Sequence, residues 1–162
     1  MPQTAVPVSI RTIPFHHSIR LHGIFDRALE SDFAYFSPQY RQTVRVANRP
    51  TKMLLATVHP RRLMLGAYHN SELIGYSMSG IQTDGIAFLF WLFVAPNFRS
   101  QSIGRELLMQ TEQNLRKRSV DSIQLITHNQ QAFYERHGFE MQKMLHGLVA
   151  GVDMYAMQKS LA

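Results

Sequence analysis

The most apolar run of the chain, Ile86–Val94 (IAFLFWLFV), shows no period-two alternation. Such a run predicts a strand buried on both faces, at the centre of a sheet. Upstream, Val8–Ile13 reads as a short strand ended by Pro14. Phe15–Glu30 reads as an amphipathic helix with Ile19, Ile24, Phe25, Ala28 and Leu29 as its apolar set. Ser31–Tyr40 is a loop with four aromatics, Phe33, Tyr35, Phe36 and Tyr40, which either line a pocket or pack the loop down. Ser37-Pro38 opens a second helix that runs to about Asn48. Thr51–Val58, between the breaks Arg49-Pro50 and His59-Pro60, is ambiguous and is read as a short helix. Leu63–Tyr68 and Glu72–Ile81 read as an antiparallel pair around the turn His69-Asn70-Ser71, with Gly75 and Gly80 marking bulges or bends. Gln82–Gly85 is a second tight turn.

Downstream of the apolar run, Ala95–Ser102 is a polar loop that leads into a helix, placed at Glu106–Arg118 and entered at Gly104. Gly104, Leu107, Leu108, Thr111 and Leu115 give that helix one face toward a sheet, and Arg105, Glu112 and Arg116 are assigned to solvent. Ser122–Thr127 is the next strand and Gln130–His137 a short helix stopped by Gly138. Phe139–Leu145 and Val152–Lys159 read as two final strands around a turn near Gly147–Gly151. The order predicts an α/β fold, a mixed sheet with helices on both faces, in a single domain spanning 1–162.

Composition narrows the chemistry. The 162 residues include no cysteine, so disulfides, thiolate metal sites and a cysteine nucleophile are excluded, and no metal site is expected. The N-terminus has no basic segment followed by an apolar core, and Ile86–Val94 is shorter than the about 20 residues a bilayer span needs. A soluble cytoplasmic protein with no membrane partner is the expectation. The net charge of +6 favours anionic partners, whether a polyphosphate cofactor, nucleic acid or an acidic surface. Arg116-Lys117-Arg118 is the densest basic cluster and is read as a solvated helix end rather than a nucleic-acid patch.

The stretch Val94–Arg105 (VAPNFRSQSIGR) carries the first chemical signal. Helix-start amides lack intrahelical partners and the dipole adds positive charge there, so small polar residues before a helix allow close approach of an anion. Alone, the stretch is equally an ordinary strand-loop-helix connection. The second signal is Ala132–Phe139 (AFYERHGF), on the short helix after the following strand. Together, VAPNFRSQSIG and FYERHGF resemble the paired motifs of the GNAT superfamily of acyl-CoA-dependent N-acetyltransferases, and the order of elements matches over essentially the whole chain.

The resemblance implies a mostly antiparallel sheet of six to seven strands with a splayed parallel pair, and acetyl-CoA as acyl donor. It implies that the backbone of Leu92, Phe93 and Val94 pairs with the pantetheine arm. The pyrophosphate is assigned to the amides of Ser100, Gln101, Ser102, Ile103, Gly104 and Arg105, and Arg99 matches the family's Arg/Gln position. Tyr134 matches the general acid for the leaving thiolate, and the Val94 amide is the natural oxyanion donor. Three departures stand out. Ser102 replaces a loop glycine. Thr127 holds the usual place of an asparagine, leaving Asn129 as a shifted substitute. The central strand has no carboxylate base, leaving His128 as the local substitute. Glu30, Asp32, Phe33 and Tyr35 lie where an amine acceptor is expected, and relatives are often homodimers. The leading reading is transfer of an acetyl group to a small-molecule or peptide amine. The alternatives are a non-catalytic acyl-CoA-binding sensor, acetylation of an RNA-linked amine, and a nucleic-acid binder without cofactor.

Overall fold

The computed structural model describes residues 7–82, 85–149 and 151–162. In chain order the elements are β1 (Ser9–Thr12), α1 (Ser18–Asp32), α2 (Pro38–Ala47), α3 (Pro50–Val58), β2 (Arg62–His69), β3 (Glu72–Ile81), β4 (Ile86–Val94), α4 (Ile103–Arg116), β5 (Ser122–Thr127), α5 (Gln131–Arg136), β6 (Glu140–Val149) and β7 (Val152–Ser160). The strands form one sheet in the order β1-β2-β3-β4-β5-β7-β6. All neighbours are antiparallel except β4 and β5. β4 is therefore central, as its apolar pattern requires. The turn expected at Gln82–Gly85 includes Thr83 and Asp84, which lie outside the described residues. Among the described residues no helix is long and apolar enough to cross a membrane.

Two apolar clusters cover the two faces of the sheet. α4 packs Leu107, Leu108 and Leu115 with Leu65, Leu89, Ile123 and Leu125. On the other face α1 and α3 pack Leu21, Phe25, Leu29 and Met53 with Met64, Tyr76, Met78 and Phe93. One member of the expected helical set is corrected: Ile19 is 78% exposed, and Leu21 is the buried residue in its turn. Leu21, Ile24, Phe25, Ala28 and Leu29 keep the three-four spacing of one face, from which Ile19 is rotated away.

β4 is less sealed than its composition suggests. Ala87, Leu89 and Phe93 are buried, and the other six residues are half-buried. Two features explain this. β4 pairs with β5 only from Ile86–Leu89 to Ser122–Leu125, and beyond Leu89 no pairing continues. At the same point the register to β3 shifts, with Met78 opposite Trp91 and Ser79 opposite Leu89. Phe90 is thus the extra residue of a β-bulge, which bends a strand and re-aims the residues beyond it. Before it, Ala87 and Leu89 face the α4 cluster, whereas after it Leu92 and Val94 do. Phe90, Trp91 and Phe93 face the α1 side. The bulge therefore reverses the facing of the strand where the parallel pair parts.

Glu112 is the second correction. Expected at the surface, it is 5% exposed. Lys159 of β7 donates to both of its carboxylate oxygens at 2.9 and 2.8 Å, which satisfies the charge in the interior. α4 is also tied to β3 through buried hydroxyls, with Ser77 Oγ 2.7 Å from Thr111 Oγ1, which itself donates to Leu107 O. Thr111→Val strands the Ser77 hydroxyl in the core and is expected to destabilise by about 1–3 kcal/mol. Ser77→Ala leaves Thr111 its carbonyl partner and is expected to cost less, about 1 kcal/mol. Urea denaturation of the two variants checks the order.

Candidate active site

The parting of β4 from β5 opens a groove of about 1480 Å³. That exceeds a typical small-molecule pocket of roughly 300–1,000 Å³ and suits two ligands end to end. The backbone of β4 is the first wall. Ala95 N–H donates to Ile74 O at 2.8 Å. Antiparallel ladders alternate, so Phe93 turns its amide and carbonyl to Tyr76 of β3, while Leu92 and Val94 turn theirs toward the gap. This corrects the expectation for Phe93: its backbone is taken by β3, and its side chain serves the α1 face. Arg99 Nε donates to Val94 O at 2.9 Å, and the Val94 amide stays directed into the gap.

The loop into α4 is held in an unusual form. Ser100 and Ser102 both have φ of +62°. A left-handed serine costs about 1–2 kcal/mol, which explains why glycine suits the place that Ser102 holds. Ser102 is the residue before α4, but its side chain makes no capping hydrogen bond. The first bond of the helix is Glu106 N–H to Ser102 O at 3.0 Å. The amides of Ile103, Gly104 and Arg105 therefore have no intrahelical partner, and they line the groove. Uncapped donors at the start of a 14-residue helix form a cradle for an anion. Within the expected cradle Ser100–Arg105, Gln101 is the residue that is not among those lining the groove. Arg136 and His137, at the end of α5, stand among the lining residues of the groove.

α5 supplies the tyrosine. Tyr134 is 8% exposed and lines the groove. Its ring packs edge-on against Phe133 at 5.1 Å and Phe139 at 5.4 Å. The helix stops at Gly138, whose φ is +85°, and the returning Phe139 N–H donates to Tyr134 O at 3.0 Å. Burial pushes the phenol well above its ordinary value, so it keeps its proton. Before α5, Thr127 Oγ1 accepts from Gln130 N–H at 3.3 Å, a structural use of the place where an asparagine was expected. Asn129 is exposed and lines the groove.

His128 leaves β5 into a ring of aromatics, with Phe33 at 5.3 Å, Tyr35 at 5.1 Å and Phe36 at 5.5 Å between centroids. Its Nε2 is buried without a hydrogen-bond partner among the described residues. Burial lowers its pKa, partly offset by the Asp32 carboxylate, so it is neutral at neutral pH. The aromatic loop is fixed from behind by Arg41, whose Nη1 donates to the carbonyls of Ala34 and Phe36 at 2.9 Å. Phe33 and Tyr35 line the groove, and Glu30 does not. Glu30 is turned outward to Arg45 and Arg41, which corrects its assignment to the acceptor site. Asp32 lines the groove, and Arg99 Nη2 donates to its two oxygens at 3.1 and 3.0 Å. Tyr76 is a lining residue that the sequence did not single out. It is fully buried, and its hydroxyl has no partner among the described residues.

A sheet split between its two parallel strands, with a backbone anion cradle on one lip and a shielded tyrosine on the other, defines a group transferase. Residues 24–139 match the model of the acetyltransferase (GNAT) family, and the chain belongs to that family. The chain is similar to a spermidine N(1)-acetyltransferase of Thermoplasma acidophilum, 31% identical over 84 residues that are 49% of this chain and 52% of that protein. The chain thus matches about half the length of this curated relative. Among solved structures it is similar to the PaiA N-acetyltransferase of Thermoplasma acidophilum in complex with coenzyme A. The TM-score is 0.82 at 24% identity, over 95% of this chain and 99% of that one. It is also similar to yncA from Salmonella typhimurium, solved with acetyl-CoA, at a TM-score of 0.78 and 19% identity over 96% and 95% of the two chains. At these identities the two structures establish the fold, including its mixed seven-stranded sheet.

Proposed function

We propose that this enzyme moves the acetyl group of acetyl-CoA to a primary amine by direct attack. The observation that carries the reading is the continuity of free donors along the groove: the inward amides of Leu92 and Val94 lead to the uncapped amides of Ile103, Gly104 and Arg105. These residues fit an extended amide-bearing arm followed by a pyrophosphate. Acetyl-CoA, when bound, supplies an acetyl group activated as a thioester. The Val94 amide is a fixed dipole directed at the gap, suited to the oxygen on which charge builds. Tyr134 Oη holds a proton for the departing sulfur. In this reading His128, neutral and with Nε2 unpartnered among the described residues, takes a proton from the amine, directly or through one water. The family's activity and the spermidine-acetylating relative support an amine acceptor for this chain.

Thiol release from acetyl-CoA across a panel of primary amines tests the reading. Release above the hydrolysis background with at least one amine is expected, and none with any amine would overturn it. Coenzyme A or acetyl-CoA at about 100 times its Kd is expected to add about 2.7 kcal/mol of stability in a melting experiment, whereas ATP adds little. Binding without turnover would instead support an acyl-CoA sensor.

The role of His128 has its own signature. Its protonated form is the one disfavoured by burial, so the base is intact at neutral pH. Activity is expected to fall as pH drops through a value below the ordinary histidine pKa of about 6.5. Above that value, any further rise follows the acceptor amine. His128→Gln is expected to lower kcat and to erase the acid limb from the pH profile. A limb that persists in the variant belongs to another group.

A further inference from the structure

The acceptor side of the groove carries charges that the reaction class does not require. Arg62, the first residue of β2, lays its guanidinium over Phe90, with Cζ 4.5 Å from the ring centroid. Gly80 on β3 makes the room: a Cβ there would stand 2.7 Å from Arg62 Nη1 and 2.8 Å from the Phe90 ring. A guanidinium stacked on a ring keeps its N–H edge free for two-point contact with a carboxylate or phosphate. Lys52 on α3 and His59 just after it are also among the residues that line the groove. His59 Nδ1 accepts the Arg61 amide at 3.1 Å, so its outer nitrogen is a donor.

Neither Arg62 nor Lys52 pairs with a carboxylate among the described residues. Asp32 is the one carboxylate among the described residues that line the groove, and Arg99 holds it. An acceptor with a second positive charge would meet like charge here. Between this basic end and the gap the floor is apolar, formed by Met78, Phe90 and Trp91. Phe90 lies two to four residues from Leu92 and Val94 along β4, which is about 7–13 Å at strand spacing.

Resting on the acetyltransferase reading, we infer that the acceptor is a primary amine joined by an apolar spacer to an anionic group, carboxylate or phosphate, and that Arg62 receives that group. A polyamine such as the acceptor named for the Thermoplasma relative fits this end poorly. The like-charge end rejects it, and no free carboxylate draws it in.

The test compares four amines of one length with acetyl-CoA as donor: aminohexanoate, aminohexyl phosphate, hexylamine and diaminohexane. At least one anionic amine is expected to exceed hexylamine about tenfold in kcat/KM, with diaminohexane below both. Which anion leads tells carboxylate from phosphate. Arg62→Gln is expected to collapse the anionic advantage, and added salt to reduce it. Lys52→Ala, at an exposed position where folding is not at stake, is expected to reduce it in part. A lead for diaminohexane, or an unchanged ranking in Arg62→Gln, would overturn the inference. If no amine is acetylated, the acetyltransferase reading fails separately, and calorimetric binding of the same four amines decides this one. Tighter binding of the anionic pair, lost in Arg62→Gln, supports it, and an equal or reversed order sinks it.

Discussion

Tyr134→Phe is expected to lower kcat by about 10²–10⁴-fold, the usual loss on removing a positioned proton donor. The substitution deletes one oxygen and keeps the ring. The edge-on contacts to Phe133 and Phe139 persist, as does the backbone bond from Phe139 to the Tyr134 carbonyl. The melting temperature and the Kd of acetyl-CoA should therefore stay close to those of the parent. Because a proton handed to a leaving group matters only as the bond breaks, kcat and kcat/KM should fall together. Burial raises the phenol's pKa, so no loss of activity from its ionisation is expected up to pH 9 or so, roughly a unit below the ordinary tyrosine value of about 10. A variant with parental kcat would make Tyr134 a packing residue like Phe133.

The parts of this site that were legible in the sequence are local. The cradle is a property of consecutive backbone units, so Ser100–Arg105 could be recognised from loop composition and a following helix. Tyr134 could be recognised because the turn that holds it, Gly138-Phe139, is a few residues away. The central place of β4 followed from its unbroken apolar run. Ser37 as the cap of α2 was likewise readable, and its Oγ accepts the Tyr40 amide at 3.1 Å.

The features that escaped the sequence depend on partners far along the chain. Glu112 reads as a surface residue until Lys159, 47 positions later, is brought against it. Glu30 reads as an acceptor residue until Arg45 on the neighbouring helix turns it outward. The bulge at Phe90 exists only relative to β3, so no pattern within IAFLFWLFV could announce it. Yet the bulge decides which residues face α4 and which face α1. It directs Leu92 and Val94 to one side and Phe90 and Trp91 to the other. Tyr76 escaped for the same reason: a strand tyrosine shows itself as a lining residue only when the groove above it is known.

Gly104→Val is expected to leave the free protein at least as stable as the parent and to weaken acetyl-CoA binding by about 1–3 kcal/mol, roughly 5- to 150-fold in Kd. Nothing in the chain itself requires glycine here. Its backbone is not among those with positive φ. A Cβ would meet only Phe133 and Val94, at an ordinary 3.8 Å. Helix propensity favours most other residues over glycine by several tenths of a kcal/mol to about 1 kcal/mol. Those two neighbours are the reason for the expected effect. Val94 ends β4 and Phe133 sits on α5, so the direction left empty by Gly104 runs across the gap between the two lips of the groove. A branched side chain there would close the passage between the inward amides of β4 and the cradle at α4. Loss of affinity with an unchanged or raised melting temperature would mean that the glycine is kept for the ligand that passes through the gap. Unchanged affinity would mean that the donor takes another path, and the assignment of Leu92 and Val94 to its binding would fall with it.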